Sequence, residues 1–359
     1  MNSIEVNLHV HIIPGKTLLV FDEVQSTPQV VEALKYFCED APEYHIIAAG
    51  SLLGVSIHEG ISFPVGKVNE LRLYPMSFRE FLLAMNEDRL FDYVTEGNYS
   101  KINEFSSLYR DLVKTYMCTG GMPEVVSLFS QNHDFEEVRE VQSSILSQYE
   151  GDLGKHVSAN DMPRIRMVWQ SLPVQLAKEN KKFFFGNVKK GARQKDFERA
   201  IQWLADAGIV CKVNKVQKPA MPLKSYIDIS SFKLFLPDVG LLCAMSELDT
   251  DSVMRGNDIF TEFKGSLTEQ YVLEQLMADT KYTPFYYSGD KSTYETDFLI
   301  QKGSNIVPIE VKAESNLRSR SLRAYHDKFQ PELSLRISAS DYIDQGWMKN
   351  IPLWCICTI

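Results

Sequence analysis

Apolar residues in this chain come in blocks with two different periods. Leu18-Leu19-Val20-Phe21 is a continuous apolar run that stops at Asp22-Glu23, and His45-Ile46-Ile47-Ala48-Ala49-Gly50 is a second. Short apolar runs with polar ends predict buried strands. Between them, Val30, Val31, Leu34 and Phe37 fall on one helical stripe, with Thr27 as a natural N-cap and Pro28 as a natural first helical residue. Strand, helix and strand in that order predict a right-handed parallel crossover. The crossover brings Ser51 beside Asp22 at the carboxyl edge of the sheet, where open α/β sheets bind ligands.

The middle of the chain changes period. Residues 76–180 read as mostly helical, opening with a capping box at Ser77 and Glu80 and broken at Gly120-Gly121-Met122-Pro123. Residues 181–250 predict a winged helix: a basic helix from about Gln194 stops at Gly208 and runs into a strand and a Pro- and Lys-rich hairpin. Arg193, Lys195 and Arg199 lie near the start of that helix, where a recognition helix meets DNA.

From about residue 255 the pattern alternates. Glu295–Gln301 and Ile306–Lys312 read as two strands joined by Lys302-Gly303-Ser304-Asn305. If that turn sets the register, Gln301 faces Ile306, Asp297 faces Glu310 and Glu295 faces Lys312. The period of two then places all four charges on one face. The other face, Thr296, Phe298 and Ile300 against Val307, Ile309 and Val311, is core-like. Pro308 cannot donate to a ladder, which predicts an edge or a bulge beside it. Upstream, a helix over 265–276 carries Glu269 in the middle of a stripe with Val272, Leu273 and Leu276. A carboxylate in an apolar stripe costs free energy unless it is paired or bound to a cation.

Two acids and a lysine on one strand face suit divalent-metal phosphodiester chemistry. Carboxylates hold Mg²⁺, the metal generates a nucleophilic water, and the lysine stabilises developing charge. Asp297, Glu310 and Lys312 are the candidate catalytic residues there, with Glu269 as a further metal ligand. The competing reading of the same residues is a cross-strand charge pair on a solvated sheet face. In the N-terminal block, an apolar strand ending in Asp22-Glu23 is how P-loop ATPases present a magnesium-binding Asp and a water-polarising Glu. The sequence Pro14-Gly15-Lys16-Thr17 imitates a phosphate loop, but position 10 is Val where the motif needs Gly, and strand sequence follows where a helix should start.

Composition narrows the class. At 359 residues, two or three domains are expected, and 44% hydrophobic with 24% charged residues is ordinary globular protein. A net charge of −9 argues against coating nucleic acid by bulk charge. Locally, Lys178, Lys181, Lys182, Lys189, Lys190, Arg193 and Lys195 face a single Glu179 within 178–195. No apolar run reaches the ~20 residues of a membrane helix. Six cysteines without a C-x-x-C pair suggest neither zinc nor a disulfide framework, so a reduced cytoplasm is expected. Cys355 and Cys357 are expected on one face of a final strand.

Taken together, these stretches resemble a widespread family of bacterial and archaeal AAA-type ATPases. That family joins an N-terminal ATPase core to a winged helix and a C-terminal domain of unknown function with a PD-(D/E)XK nuclease-like fold. The matching stretches are Lys16–Gln25, Tyr44–Val55, Phe63–Lys67, Tyr74–Phe81, Gly120–Pro123, Phe232–Leu242 and the hairpin Glu295–Lys312. The resemblance implies an α/β chain: a truncated P-loop ATPase core with a parallel sheet at 1–75, a helical lid at 76–180, a winged helix at 181–250, and a restriction-endonuclease-like α/β domain at 255–359. It makes Asp22 the Walker B ligand of Mg²⁺, Glu23 the catalytic acid/base and Ser51 the sensor at an ATP site. It makes Asp297, Glu310 and Lys312 the nuclease-like core with Glu269 as its helical acid. Family members carry a further N-terminal segment with the phosphate loop, so this chain alone is expected not to hydrolyse ATP. A partner or a further chain is expected to cover the remaining sheet, with DNA as a binding partner and an oligomer as an option.

Overall fold

The computed structural model describes residues 2–50, 64–153, 160–178, 181–255, 261–289, 294–313 and 319–359. Chain contacts divide it into two units, the first comprising Met1–Leu73 with Gln202–Ile209, the second Tyr74–Ile201 with Val210–Ile359. In chain order the helices are α1 (Asn2–Leu8), α2 (Pro28–Asp40), α3 (Phe78–Ala84), α4 (Asp88–Glu96), α5 (Tyr99–Glu104), α6 (Ser106–Thr119), α7 (Pro123–Asn132) and α8 (Phe135–Leu153). They continue with α9 (Met162–Leu176), α10 (Phe185–Val188), α11 (Gln194–Asp206), α12 (Val239–Met245), α13 (Thr250–Arg255), α14 (Thr261–Asp279) and α15 (Arg320–Phe329).

The first unit contains the expected crossover. Strands β1 (Leu18–Phe21) and β2 (His45–Ala48) pair in parallel, Leu18 with His45 and Phe21 with Ala48. Helix α2 connects them, and Phe21 lies against Phe37 at 5.8 Å between ring centroids. Thr27 occupies the N-cap of α2 and Pro28 its first turn, but the Thr27 side chain makes no capping bond. Parallel sheets are normally buried on both faces. Here Leu18, Val20 and Ile47 share one face and remain 52%, 60% and 51% exposed.

The second unit is built on a sheet of eight strands in the order β4-β3-β5-β6-β7-β8-β10-β9. The strands are β3 (Cys211–Val216), β4 (Ile227–Phe235), β5 (Phe285–Ser288), β6 (Glu295–Lys302), β7 (Asn305–Lys312), β8 (Leu335–Ser338), β9 (Ile343–Asp344) and β10 (Lys349–Pro352). The β3–β4 hairpin is therefore part of the C-terminal sheet: Asn214 and Lys215 pair in parallel with Phe285 and Tyr286.

The register of the β6–β7 hairpin is the one its turn length implies, with Gln301 opposite Ile306 and Phe298 opposite Ile309. Three expectations about this region need correction. First, the charged face is only partly solvated: Leu299, on the same face as Asp297, is fully buried with Phe285, Tyr287 and Tyr325, Glu310 is buried, and Glu295, Asp297 and Lys312 are half-buried. Second, β7 is interior to the sheet. Pro308 is tolerated because the ladder to β8 starts only at Ile309, so its missing N–H breaks no bond there. Third, Cys355 and Cys357 lie in a 3₁₀ segment, Leu353–Thr358, because β10 ends at Pro352. All six cysteines are free thiols.

Among the helices, Ser77 and Glu80 form the capping box at α3. The Gly120–Met122 turn separates α6 from α7, which starts at Pro123. No helix among the described residues is long and apolar enough to cross a membrane.

Candidate functional site

The N-terminal candidates sit at the carboxyl end of β1. Asp22 is exposed, and its Oδ1 accepts the Glu23 N–H at 3.0 Å. Glu23 adopts a left-handed backbone shape (φ 51°), which costs a non-glycine residue about 1 kcal/mol. The strand places one carboxylate in solvent at a sheet edge. That suits an Mg²⁺ ion taking most of its ligands from phosphates and water. Ser51 lies outside the described residues, so its place beside Asp22 stays an expectation.

The C-terminal candidates gather around α14 and β6. Glu269, on α14, is buried, and each of its carboxylate oxygens accepts from a lysine. Lys233 of β4 donates to Oε1 at 2.8 Å, and Lys181 donates to Oε2. Burial alone would raise the Glu269 carboxyl, but the two ammonium groups outweigh it and hold the carboxyl below its ordinary value. Burial pulls Lys233 down, yet the facing carboxylates of Glu269, Asp297 and Glu295 carry it above the usual lysine range. The Lys233 ammonium also lies 4.9 Å from the centre of the Tyr286 ring.

Asp297 completes this group. Its Oδ2 accepts the Val311 N–H at 2.7 Å across the hairpin. Burial, and then the charge on Glu269, push its carboxyl up to about 6, against the pull of Lys233 and Lys181. Glu310 follows on β7 and is 5% exposed. Its Oε1 pairs with Lys312 at 3.0 Å, so Lys312 serves its neighbour two residues along the strand and not Glu295 as the turn register suggested. Glu310 Oε2 is buried without a hydrogen-bond partner. Beside it in the ladder stands buried Arg336, whose Nε donates to Asn350 Oδ1 at 2.8 Å.

These contacts bear on the metal expectation. Both oxygens of Glu269, one of Asp297 and one of Glu310 are already engaged. Among the described residues, no group of three or more His, Cys, Asp or Glu side chains is placed to hold a metal ion. As arranged, the acids fit ammonium and N–H donors and do not fit a divalent cation.

The basic candidates are surface groups. Arg193, Lys195 and Arg199 are all exposed, together with Lys189 and Lys190. The Arg193 N–H donates to Asp196 Oδ2 at 2.8 Å, which closes the first turn of α11. Half-exposed Phe184 lies 5.5 Å from Lys178 Nζ, so an aromatic ring borders the basic surface.

Sequence reasoning missed Lys233 as a partner of Glu269, and it took Lys181 only as one of a basic run. The available signal was the order Phe232-Lys233-Leu234-Phe235: a lysine inside an apolar strand needs an acid. It also missed Asp238, the buried N-cap of α12, and Glu274, a buried carboxyl on α14 that accepts the Val239 N–H.

Comparison with known proteins adds three family matches. Residues 110–252 match a domain of unknown function, DUF8612, and residues 264–356 match another, DUF4143. No curated protein matches the chain. A search of solved structures returns the Walker-type ATPase PABY2304 of Pyrococcus abyssi, at 14% identity and a TM-score of 0.39. That match covers 64% of this chain, and the chain spans 62% of that structure. Residues 2–82, which carry Asp22 and Glu23 on the parallel β1–α2–β2 unit, match the family described as AAA domain, and over this stretch the chain is similar to AAA domains.

Proposed function

We propose that this protein is a nucleotide-responsive AAA-type protein whose C-terminal sheet is a nuclease-like module that holds DNA without cutting it. The observation that carries the second half is the double capture of Glu269 by Lys181 and Lys233. A carboxylate already neutralised by two ammonium groups has little left to offer a metal. In the first half, Asp22 would hold Mg²⁺ and Glu23 would orient water. The metal would supply charge neutralisation at the nucleotide phosphates. Ser51 would sense the phosphate. The exposed Arg193, Lys195 and Arg199 would meet the DNA backbone as the winged helix docks, and their charge makes affinity salt-dependent.

One experiment tests the DNA half. Fluorescence anisotropy on a labelled duplex is read at several salt concentrations, with a parallel cleavage assay in Mg²⁺ and in Mn²⁺. The expected result is binding that weakens with salt, falls in Arg193→Ala/Lys195→Ala/Arg199→Ala, and leaves the duplex intact. Binding indifferent to salt and to these three residues would remove the reading. One observation favours a metal-dependent nuclease instead, the buried unpartnered Oε2 of Glu310 beside Lys312. Cleavage abolished by Asp297→Ala and by Glu310→Ala would establish that alternative.

A further inference from the structure

Four segments far apart in sequence close on one buried polar knot in the second unit. Asp238 caps α12, and its Oδ1 accepts the Leu241 N–H at 2.8 Å. Its Oδ2 accepts the Gly121 N–H at 2.6 Å. Glu274 of α14 accepts the Val239 N–H on Oε2 at 2.9 Å. Met76 N–H donates to Gly121 O at 2.7 Å, and Phe78 N–H donates to Gln275 Oε1 at 2.6 Å. Two glycines make the approach possible. A Cβ on Gly121 would lie 2.2 Å from Met76 O, and one on Gly120 (φ +72°) 2.2 Å from Asp238 Oδ1.

Tyr116 sits at the centre, and its hydrogen-bond accounting fixes a proton. The hydroxyl oxygen is 2.5 Å from Met76 O and 2.6 Å from Glu274 Oε1, and Gln275 Nε2 donates to it at 3.2 Å. A tyrosine hydroxyl has one proton to give. A backbone carbonyl can only accept, so that proton goes to Met76. The short contact to Glu274 Oε1 then needs a proton on the carboxyl. A carboxylate there would leave two acceptor oxygens facing each other in a buried site, with nothing to offset their desolvation.

We propose that Glu274 is a carboxylic acid at neutral pH, that it donates its proton to Tyr116, and that this proton is the closing link of the knot that holds residues 76–78. Loss of the proton at higher pH turns the link into a repulsion and loosens the start of the second unit. The groups around it agree. Burial drives Glu274 well above the ordinary glutamate value, and the Asp238 charge and a side-chain hydrogen bond with Asp238 add to it, against the bonds with Tyr116 and the Val239 N–H. Burial pushes Asp238 up to about 6, against the backbone donors of Gly121, Leu241, Gly240 and Met122. The other titratable neighbours are Tyr116 and Cys118 on α6, Tyr149 on α8, Cys243 on α12 and Tyr271 on α14. The cation on α8, Arg139, acts on Cys118 and Cys243, and no cation is among the leading influences on either carboxyl.

The sign follows from proton counting. Unfolded Glu274 ionises near pH 4.3, while the folded form keeps its proton, so stability from this group falls as pH rises. Glu274→Gln supplies a permanent N–H donor to Tyr116 and an acceptor for Val239. The test is urea unfolding of the full chain and of Glu274→Gln at pH 5, 6 and 7. The expected result is a wild-type unfolding constant that rises relative to the variant by about tenfold per pH unit. Parallel curves for the two proteins would overturn the proposal. Carboxyl-carbon NMR of the wild-type chain, labelled at glutamate and recorded at pH 7, needs no variant to fold. One glutamate carbon should keep the shift of a protonated acid and lose it on unfolding. A spectrum with every glutamate ionised would overturn the proposal independently.

Discussion

Replacing Lys233 by Met tests the charge cluster most directly. The Lys233 ammonium is 2.8 Å from Glu269 Oε1, and both groups are buried. At an effective dielectric of 20, a pair at that distance attracts by about 6 kcal/mol. Desolvating two ions takes back several kcal/mol each, so the intact pair contributes little net stability. Removing one partner is different, because Glu269 keeps its desolvation cost and loses half of its compensation. Buried pairs broken in this way typically lose about 3–5 kcal/mol. Lys181 still holds the second oxygen, which places Lys233→Met near the lower end, about 3 kcal/mol. The assay is urea unfolding of the full chain, with Glu269→Leu and the double variant completing a cycle. The double variant should recover part of the loss, since it removes the uncompensated Glu269 charge and leaves Lys181 with Asp297 as the nearby acid. If Lys233→Met costs under about 0.5 kcal/mol, the pair behaves as an exposed one and the reasoning fails. A double variant as unstable as the sum of the singles would refute it equally.

Further outcomes follow from the same geometry. Gly121→Ala should destabilise the second unit by about 3 kcal/mol in the same assay, because its methyl would lie 2.2 Å from Met76 O. Asp297 should titrate near 6 in carboxyl-carbon NMR, and Glu269→Gln should bring it down by removing the charge that helps raise it. Because that carboxyl is raised, its contribution to stability is present in acid and is lost as pH rises from about 4 through about 6. Calorimetry of Mg-ATP with the purified chain should give binding that weakens in Asp22→Ala. Identical binding by the two proteins would take Asp22 out of the nucleotide site.

What the sequence made legible was local. The β1–α2–β2 crossover followed from two apolar runs and one stripe, and the β6–β7 register followed from the length of one turn. Helix ends at Ser77 and Pro123 were signalled by residues with fixed backbone preferences. What escaped reading was long-range. Lys181 is 88 residues from Glu269, and Gly121 is 117 residues from Asp238. No period or spacing reports a contact across such a distance. The position of Glu269 in an apolar stripe said that the charge needed a partner, but a metal ion and a lysine satisfy that need equally well on paper. The same ambiguity hid the burial of Glu310. Alternation separates the two faces of a strand, and it does not say whether the polar face is covered by a later helix.

The continuity of the eight-stranded sheet bears on how such chains are assembled by recombination. The two domain matches meet between residues 252 and 264, yet β3 and β5, from opposite sides of that seam, share backbone hydrogen bonds. Lys233 and Glu269, also from opposite sides, neutralise each other. A gene fusion that exchanged only the downstream part would inherit an unsatisfied strand edge and a half-compensated charge. The two segments therefore fold as one body, and the boundary between the two domain matches is not a seam in the folded protein.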